Sequence, residues 1–183
     1  MSDNTITVPK AADEKTGPIM VYTAAALYWG ESVVKQQIRM STWLRTQAAP
    51  DFVPVYNVKF IVPASAGTPR PMFLPEIHIP IKNVLALHLQ PPAQDPIDYD
   101  PNEPNRRMDP VSIIAGTFRI DGLMRMATIS TMQKYLEVTR ESYTTIYEAQ
   151  ISNMVMPSLG IMRVPLVIVR QMDVTFAIRS IAS

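Results

Sequence analysis

The chain has no cysteine and only two histidines, His78 and His88. The lack of cysteine excludes disulfide bonds, cysteine-ligated zinc, iron–sulfur clusters and cysteine nucleophiles. The chain contains no run of about 18 apolar residues, so the sequence predicts no membrane-spanning helix. Its polar N-terminus, MSDNTITVPKAADEKTG, lacks the apolar core of a secretory signal peptide. Together with the lack of cysteine, this predicts a cytoplasmic protein.

Charged residues are also scarce. They make up 18% of the chain, while hydrophobic residues make up 47%; about a quarter charged is typical of soluble proteins. A small protein with so few charges has little polar material with which to cover its surface, so we expect it to bury apolar surface against copies of itself. The net charge of +1 argues against strong electrostatic binding of nucleic acid.

Composition divides the chain into four segments. Residues 1–17 are polar, with mixed charges, and are predicted to be a flexible tail. Residues 18–90 and 111–183 are predicted to be structured blocks. Between them, residues 91–110 are rich in proline and acidic side chains. Because proline cannot donate to a sheet ladder and disrupts helices, this segment is predicted to be a linker.

Alternating hydrophobicity predicts mostly strands in both blocks. In the first block we expect two strands that turn near Gly30, a short helix that begins at Ser41, and three further strands, with the following strand ranges: Ile19–Trp29, Val33–Ile38, Phe52–Val62, Phe73–Ile81 and Val84–Leu89. The alanines at 24–26 weaken the first of these, because alanine is a poor strand former. The second block is predicted to follow the same order, with a turn at Gly122, a helix over Thr131–Val138 and the following strands: Ser112–Ile120, Leu123–Ile129, Tyr143–Ile151, Leu159–Arg170 and Asp173–Ile178.

The two blocks align as an internal repeat. The alignment pairs these residues and segments: Tyr22 with Phe118, Leu27 with Leu123, Trp43-Leu44 with Tyr135-Leu136, Phe52 with Tyr143, Tyr56 with Tyr147, and His78–Ile81 with Arg163–Leu166. About five short strands per block suit a small bent barrel, because a flat sheet of this size would leave two open edges. The sequence therefore predicts an all-β fold with short helices, built as a tandem pair of small five-stranded barrels.

Three short stretches carry a resemblance to a known family. Arg39–Leu44, Phe52–Asn57 and the Ile79-Pro80 strand resemble an uncharacterised bacterial small β-barrel domain of the Sm-like type, and Ile77–Leu87 is similar to the second Sm motif. The resemblance implies assembly into rings by pairing of edge strands between neighbours. A tandem pair would then act as a fused dimer, and three chains would give a pseudo-hexamer.

The same resemblance implies a possible RNA-binding surface. RNA-binding Sm proteins carry an Arg-Gly or Lys-Gly pair in the last hairpin, whereas this chain has Lys82-Asn83 in the first block and no comparable pair in the second. The residues that would contact RNA are Tyr56, Asn57, Lys82 and Asn83.

Catalytic and metal-binding signals are few. Glu76 and His78 share a face of a predicted strand and could act as an acid–base or metal pair, but we expect an ordinary solvated pair, because a site needs more than two convergent ligands. Four linker carboxylates, Asp95, Asp98, Asp100 and Glu103, offer oxygen ligands to calcium without the glycine and distal glutamate of an EF-hand. They are predicted instead to be solvated or to cover a basic surface of a neighbouring block.

No nucleotide-binding or hydrolase motif is present. The sequence thus predicts no catalytic residue, no metal site and no cofactor. The functional prediction is a non-catalytic homo-oligomeric scaffold or adaptor that assembles through the edge strands of its barrels. The alternative prediction is an Sm-like module that binds single-stranded RNA, and another protein partner is a further expectation.

Overall fold

The computed structural model describes residues 5–46, 49–63, 70–138 and 141–179. The fold is all-β with a few short helices, as the sequence predicts. The first half contains β1 Glu14–Tyr22, β2 Leu27–Lys35, a 3-10 helix Met40–Arg45, β3 Phe52–Ile61, β4 Met72–Pro80, a 3-10 turn Ile81–Asn83 and β5 Ala86–Leu89. The second half contains β6 Arg106–Ala115, β7 Phe118–Ala127, α1 Met132–Val138, β8 Tyr143–Asn153, a 3-10 turn Pro157–Leu159, β9 Ile161–Arg170 and β10 Thr175–Ile178.

The ten strands form one antiparallel sheet in the order β10-β6-β7-β8-β9-β5-β1-β2-β3-β4. Each half contributes its strands in the same relative order, with its last strand beside its first. The halves meet where β5 pairs with β9, through the residue pairs Ala86–Val169 and Leu87–Ile168. The sheet is therefore continuous and open, whereas the sequence predicts two separate barrels. The reason is that β5 uses its second edge to pair with the other half.

Two hydrophobic cores lie on the two faces of the central strands. On β1, Ile19 and Val21 point into the core of the first half, while Met20 and Tyr22 point into the core of the second half. Alternate residues of a strand face opposite sides of a sheet, so β1 is buried on both faces. This explains why Ile19–Tyr22 is apolar throughout and does not alternate.

The predicted turns at Gly30 and Gly122 are wrong. The β1–β2 turn lies at residues 23–26, where Thr23 Oγ1 accepts a 3.0 Å hydrogen bond from the Ala26 backbone nitrogen. The β6–β7 turn uses Gly116, whose φ is +60°. Gly30 and Gly122 lie inside β2 and β7, where the strand register shifts. Glycine is needed there because another strand approaches closely.

Two strands begin earlier than their predicted blocks. β1 begins at Glu14, inside the predicted tail, and there it pairs with β2 at Lys35. The Lys35 ammonium lies 3.0 Å from Asp13 Oδ2 and 3.1 Å from Glu14 Oε1. β6 begins at Arg106, inside the predicted linker. Both starts are polar, so they carry no alternating hydrophobic signal.

The last part of the predicted repeat alignment is also wrong. Tyr56 of β3 lies opposite Glu76, whereas the matching Tyr147 of β8 lies opposite Leu166. Glu76 therefore corresponds to Leu166, and the prolines before them, Pro75 and Pro165, occupy matching positions. The sequence alignment paired Pro80 with Pro165 because the loop between β3 and β4 hides the true offset.

Candidate functional site: strand edges, strap and cavities

The sheet has two outer edges, β4 and β10, and each of these strands has one neighbour among the strands of the described chain. Apolar side chains are exposed at both: Leu74 of β4 is 40% exposed and Ile178 of β10 is 63% exposed. Phe52, beside the end of β4, is 53% exposed. An unpaired strand edge presents free backbone donors and acceptors that can pair with another strand. These edges are the candidate assembly site.

We call the pairing of β5 with β9 the inner junction. It is reinforced by hydrogen-bond donors on two strands of the second half, β8 and β9. Arg170 donates its backbone N–H to the Leu85 carbonyl oxygen at 2.8 Å and its guanidinium to the Ile81 carbonyl oxygen at 3.2 Å. The Tyr143 hydroxyl lies 3.1 Å from the carbonyl oxygens of Ile81 and Val84, to which it donates. Burial raises the pKa of Tyr143 to about 12, so this hydroxyl keeps its proton at physiological pH.

The predicted linker forms a strap across both halves. The Tyr147 hydroxyl of β8 donates a 2.7 Å hydrogen bond to Asp98 Oδ1, and Arg45 of the first half contacts Asp98 Oδ2 at 3.1 Å. The Tyr99 ring packs edge-on against Tyr147 at 4.8 Å, with the Arg125 guanidinium 4.9 Å from its centre. The strap thus covers basic side chains of both halves, as one of the sequence interpretations predicts.

The linker carboxylates do not converge on a common point. Asp95 accepts a 3.1 Å hydrogen bond from the backbone nitrogen of Ser41, and Asp100 accepts one within its own turn. Glu103 pairs with Arg125, which together with Arg106 holds the pKa of that carboxyl below its usual value. In the ranges that the structure describes, no group of three or more metal-ligating side chains is found. Each carboxylate has a structural partner.

Glu76 and His78 share a face of β4, as predicted. His78 Nε2 lies 2.8 Å from Glu76 Oε1, and the two side chains are 56% and 41% exposed. No other acidic or histidine side chain joins them into a ligand group within the described part of the chain. The geometry is that of a solvated pair on an outer strand.

The residues predicted to contact RNA divide into two separate places. Lys82 and Asn83 line a cavity of about 580 Å³ together with His78 and Tyr28. Tyr56 and Asn57 do not line that cavity. Tyr56 is buried in the sheet, with 8% of its surface exposed, and the Asn57 amide holds the Ile6 backbone through hydrogen bonds of 2.8 and 3.0 Å.

His88 is a buried polar group whose role was not predicted. Its side chain is completely buried on β5. Its Nδ1 donates to the Leu89 carbonyl oxygen at 2.7 Å, which leaves Nε2 to accept a hydrogen bond from the Tyr22 hydroxyl at 2.9 Å. Burial lowers the pKa of His88 to about 4. The ring is therefore neutral at physiological pH and serves the packing of β1 against β5.

An apolar groove of about 560 Å³ lies beside the inner junction. Its apolar walls come from β1, β2 and β3 on one side and from the 3-10 turn Pro157–Leu159 and the start of β9 on the other, namely Met20, Leu27, Trp29, Ile61, Leu159, Ile161 and Met162, and Gln90 and Arg163 are polar lining residues. The first half thus turns an apolar face toward the second half. The sequence could not show this groove, because it joins residues that are distant along the chain.

Comparison with known proteins identifies no relative of this chain. No protein-family model matches it, no curated protein matches it, and no solved structure matches it. Among the described residues, no helix is long and apolar enough to cross a membrane.

Proposed function

We propose that this chain is a non-catalytic, homo-oligomeric scaffold or adaptor of the cytoplasm, in which β4 of one copy pairs with β10 of another. One observation carries the proposal: the fourth strand of the second half, β9, already pairs with the last strand of the first half, β5. The strands at the outer edges hold the corresponding positions: β4 is the fourth strand of the first half, and β10 is the last strand of the second half. The two free edges of the sheet are therefore the counterparts of the two strands that pair at the inner junction.

We further propose that the halves are tandem Sm-like barrels. Three features support this. The strand order is the same in both halves, each half has a short helix between its second and third strands, and there are two hydrophobic cores, each built mainly from one half. The residues that follow the matched Tyr56 and Tyr147 also share a backbone conformation in the left-handed region: Asn57 has a φ of 49° and Glu148 a φ of 50°.

Pairing between unlike edges joins copies head to tail. Such a contact leaves one edge free on each terminal copy, so it continues until the assembly closes into a ring or extends into a filament. Because each chain contributes two halves, every closed assembly would contain an even number of them. The predicted pseudo-hexamer of three chains is one such ring.

The test is the native mass of the purified protein, measured by light scattering at two salt concentrations. We expect a discrete oligomer that survives high salt, because backbone pairing and apolar contact are weakly screened. Ile178→Asp places a charge on the exposed outer edge of β10 and is expected to convert the oligomer into 20.5 kDa monomers, because a charge on an edge strand opposes pairing with another strand. Ile129→Asp is the matched control, because Ile129 is 92% exposed and lies outside both edge strands. A wild-type monomer at micromolar concentration would contradict the proposal.

Binding of single-stranded RNA is the second candidate. Its support is the cavity lined by Lys82, Asn83 and His78, since an ammonium and two hydrogen-bonding side chains suit a phosphate or a base edge. A filter-binding assay with single-stranded RNA at low salt should then show an affinity that salt reduces and that Lys82→Ala weakens. No binding at low salt would remove this candidate.

A further inference from the structure

The strand pairings establish which residues of the two halves correspond. Tyr28 and Ile120 each lie two residues before the register-shift glycine, and their partners on the first strand of each half are Val21 and Ile113. Val21 in turn lies opposite Leu87 of β5, and Ile113 lies opposite Phe176 of β10. Phe176 therefore occupies in the second half the position that Leu87 occupies in the first.

The same reasoning relates β4 to β9. Tyr56 corresponds to Tyr147, so two residues earlier Pro54 corresponds to Thr145. Pro54 lies opposite His78, and Thr145 lies opposite Ile168. His78 therefore corresponds to Ile168, and by the next pair along, Ile79 corresponds to Val169.

From these correspondences we propose the register of the outer junction: Phe176 of one copy lies opposite His78 of the next, and Thr175 lies opposite Ile79. This register repeats the Leu87–Ile168 and Ala86–Val169 pairs of the inner junction. The inference rests on the proposed assembly through β4 and β10, and it adds the partner residues and the strength of the contact.

The outer junction lacks the hydrogen-bond donors of the inner one. Tyr143 lies opposite Arg170, and the corresponding pair in the first half is Phe52 and Pro80. Phenylalanine has no hydroxyl, and proline has neither a backbone N–H nor a guanidinium. All three donors that Tyr143 and Arg170 provide are therefore absent at the outer edge.

The packing face beside the outer junction is also different. In the first half, Met20 of β1 lies opposite Trp29 of β2, and both line the apolar groove that also contacts the start of β9. The corresponding pair in the second half is Ser112 and Asp121. There Arg119 donates to Asp121 at 3.1 Å, and the Ser112 hydroxyl also bonds to Asp121. A polar cluster thus replaces the apolar face.

The missing donors and the polar cluster both weaken the outer junction relative to the inner junction. The outer junction retains the backbone ladder and exposed apolar side chains, but it has fewer donors and less apolar surface to bury. Copies of the chain therefore exchange reversibly, while the two halves of one chain stay together. The inner junction is the permanent contact and the outer junction is the adjustable one.

Cysteine cross-linking tests the register, and the absence of native cysteine gives a clean background. His78→Cys and Phe176→Cys proteins are mixed, allowed to exchange and oxidised. Directly opposed residues of antiparallel strands have Cα atoms about 4.5–5.5 Å apart, which a disulfide spans. We expect a disulfide-linked dimer from the mixture and none from either variant alone. Glu76→Cys with Phe176→Cys is the control, because a two-residue displacement separates the Cα atoms by about 7–8 Å.

Phe52→Tyr tests the strength of the junction, because it restores the hydroxyl that Tyr143 supplies at the inner junction. We expect the dissociation constant of the oligomer, measured by sedimentation, to fall about two- to tenfold, the effect of one net hydrogen bond. Tyr143→Phe removes the same hydroxyl from the inner junction and should leave that dissociation constant unchanged.

The outcomes separate this inference from the proposed function. An oligomer that cross-links through His78→Cys alone would indicate symmetric β4–β4 pairing and overturn the register, as would an oligomer in which the mixture does not cross-link. An unchanged dissociation constant for Phe52→Tyr would overturn the account of the weaker junction. In each of these cases homo-oligomeric assembly would stand, but in the first case β4–β4 pairing would replace the proposed pairing of β4 with β10. A monomeric wild-type protein would overturn assembly and register together.

Discussion

Gly30 lies so close to Tyr56 that a Cβ atom at the glycine would be 2.5 Å from the tyrosine carbonyl oxygen. Gly122 and Tyr147 repeat this relationship at 2.7 Å. Because the obstructing atom is backbone, Gly30→Ala must move β2 away from β3. We expect the free energy of unfolding in urea to fall by about 1–3 kcal/mol.

Gly17→Ala is the control for that substitution. Its Cβ would meet the sulfur of Met40 at 2.8 Å, but that sulfur belongs to a flexible side chain that can move aside. Gly17→Ala should therefore cost clearly less stability than Gly30→Ala. Equal unfolding midpoints for the two variants would show that the close approach of β2 and β3 is not a rigid constraint.

The strap depends on Asp98, which receives Tyr147 from one half and Arg45 from the other. Asp98→Ala leaves the largely buried Tyr147 hydroxyl without this acceptor and should reduce the free energy of unfolding by about 1–3 kcal/mol. Glu141 also pairs with Arg45 but is 50% exposed, so Glu141→Ala should change stability by no more than about 0.5 kcal/mol. Denaturant titrations that show the same loss for both variants would contradict this role of Asp98.

His88 should make the protein sensitive to acid. Above about pH 6.5 the ring is neutral in both the folded and the unfolded chain. Below that pH the unfolded chain binds a proton that the folded chain refuses until its pKa of about 4. Stability should therefore fall as the pH decreases from 6.5 to 4, by about 3 kcal/mol in total.

Unfolding measured at several pH values, with NMR titration of the His88 imidazole, tests this expectation. His78→Gln leaves the buried His88 ring in place, so this variant should retain the same loss of stability in acid. A His88 resonance that titrates near pH 6.5 in the folded protein would contradict the buried, neutral ring.

The bounds of β3 could be predicted closely. The sequence predicts a strand over Phe52–Val62 and β3 spans Phe52–Ile61, because β-branched and aromatic residues favour strands. Gly30 and Gly122 were misread for an equally physical reason. Glycine serves both tight turns and close backbone approaches, and only the position of the neighbouring strand distinguishes the two uses.

The buried polar groups could not be predicted. His88 sits among apolar neighbours in sequence, and its partner Tyr22 is distant along the chain. Likewise, nothing near Asp98 in sequence indicates that Tyr147 and Arg45 converge on it. These contacts are created by the meeting of the halves, which no local pattern records.

Composition and hydrophobic periodicity were enough to predict the all-β class, the order of strands and short helices in each half, and the position of the proline-rich segment, because these are local properties of the chain. The pairing of β5 with β9, the hydrogen-bonded strap and the position of β4 and β10 at the outer edges are set by long-range contacts. Those outcomes depend on which strands find partners across long sequence separations, and a strand's hydrophobic pattern specifies its buried face but not its neighbour.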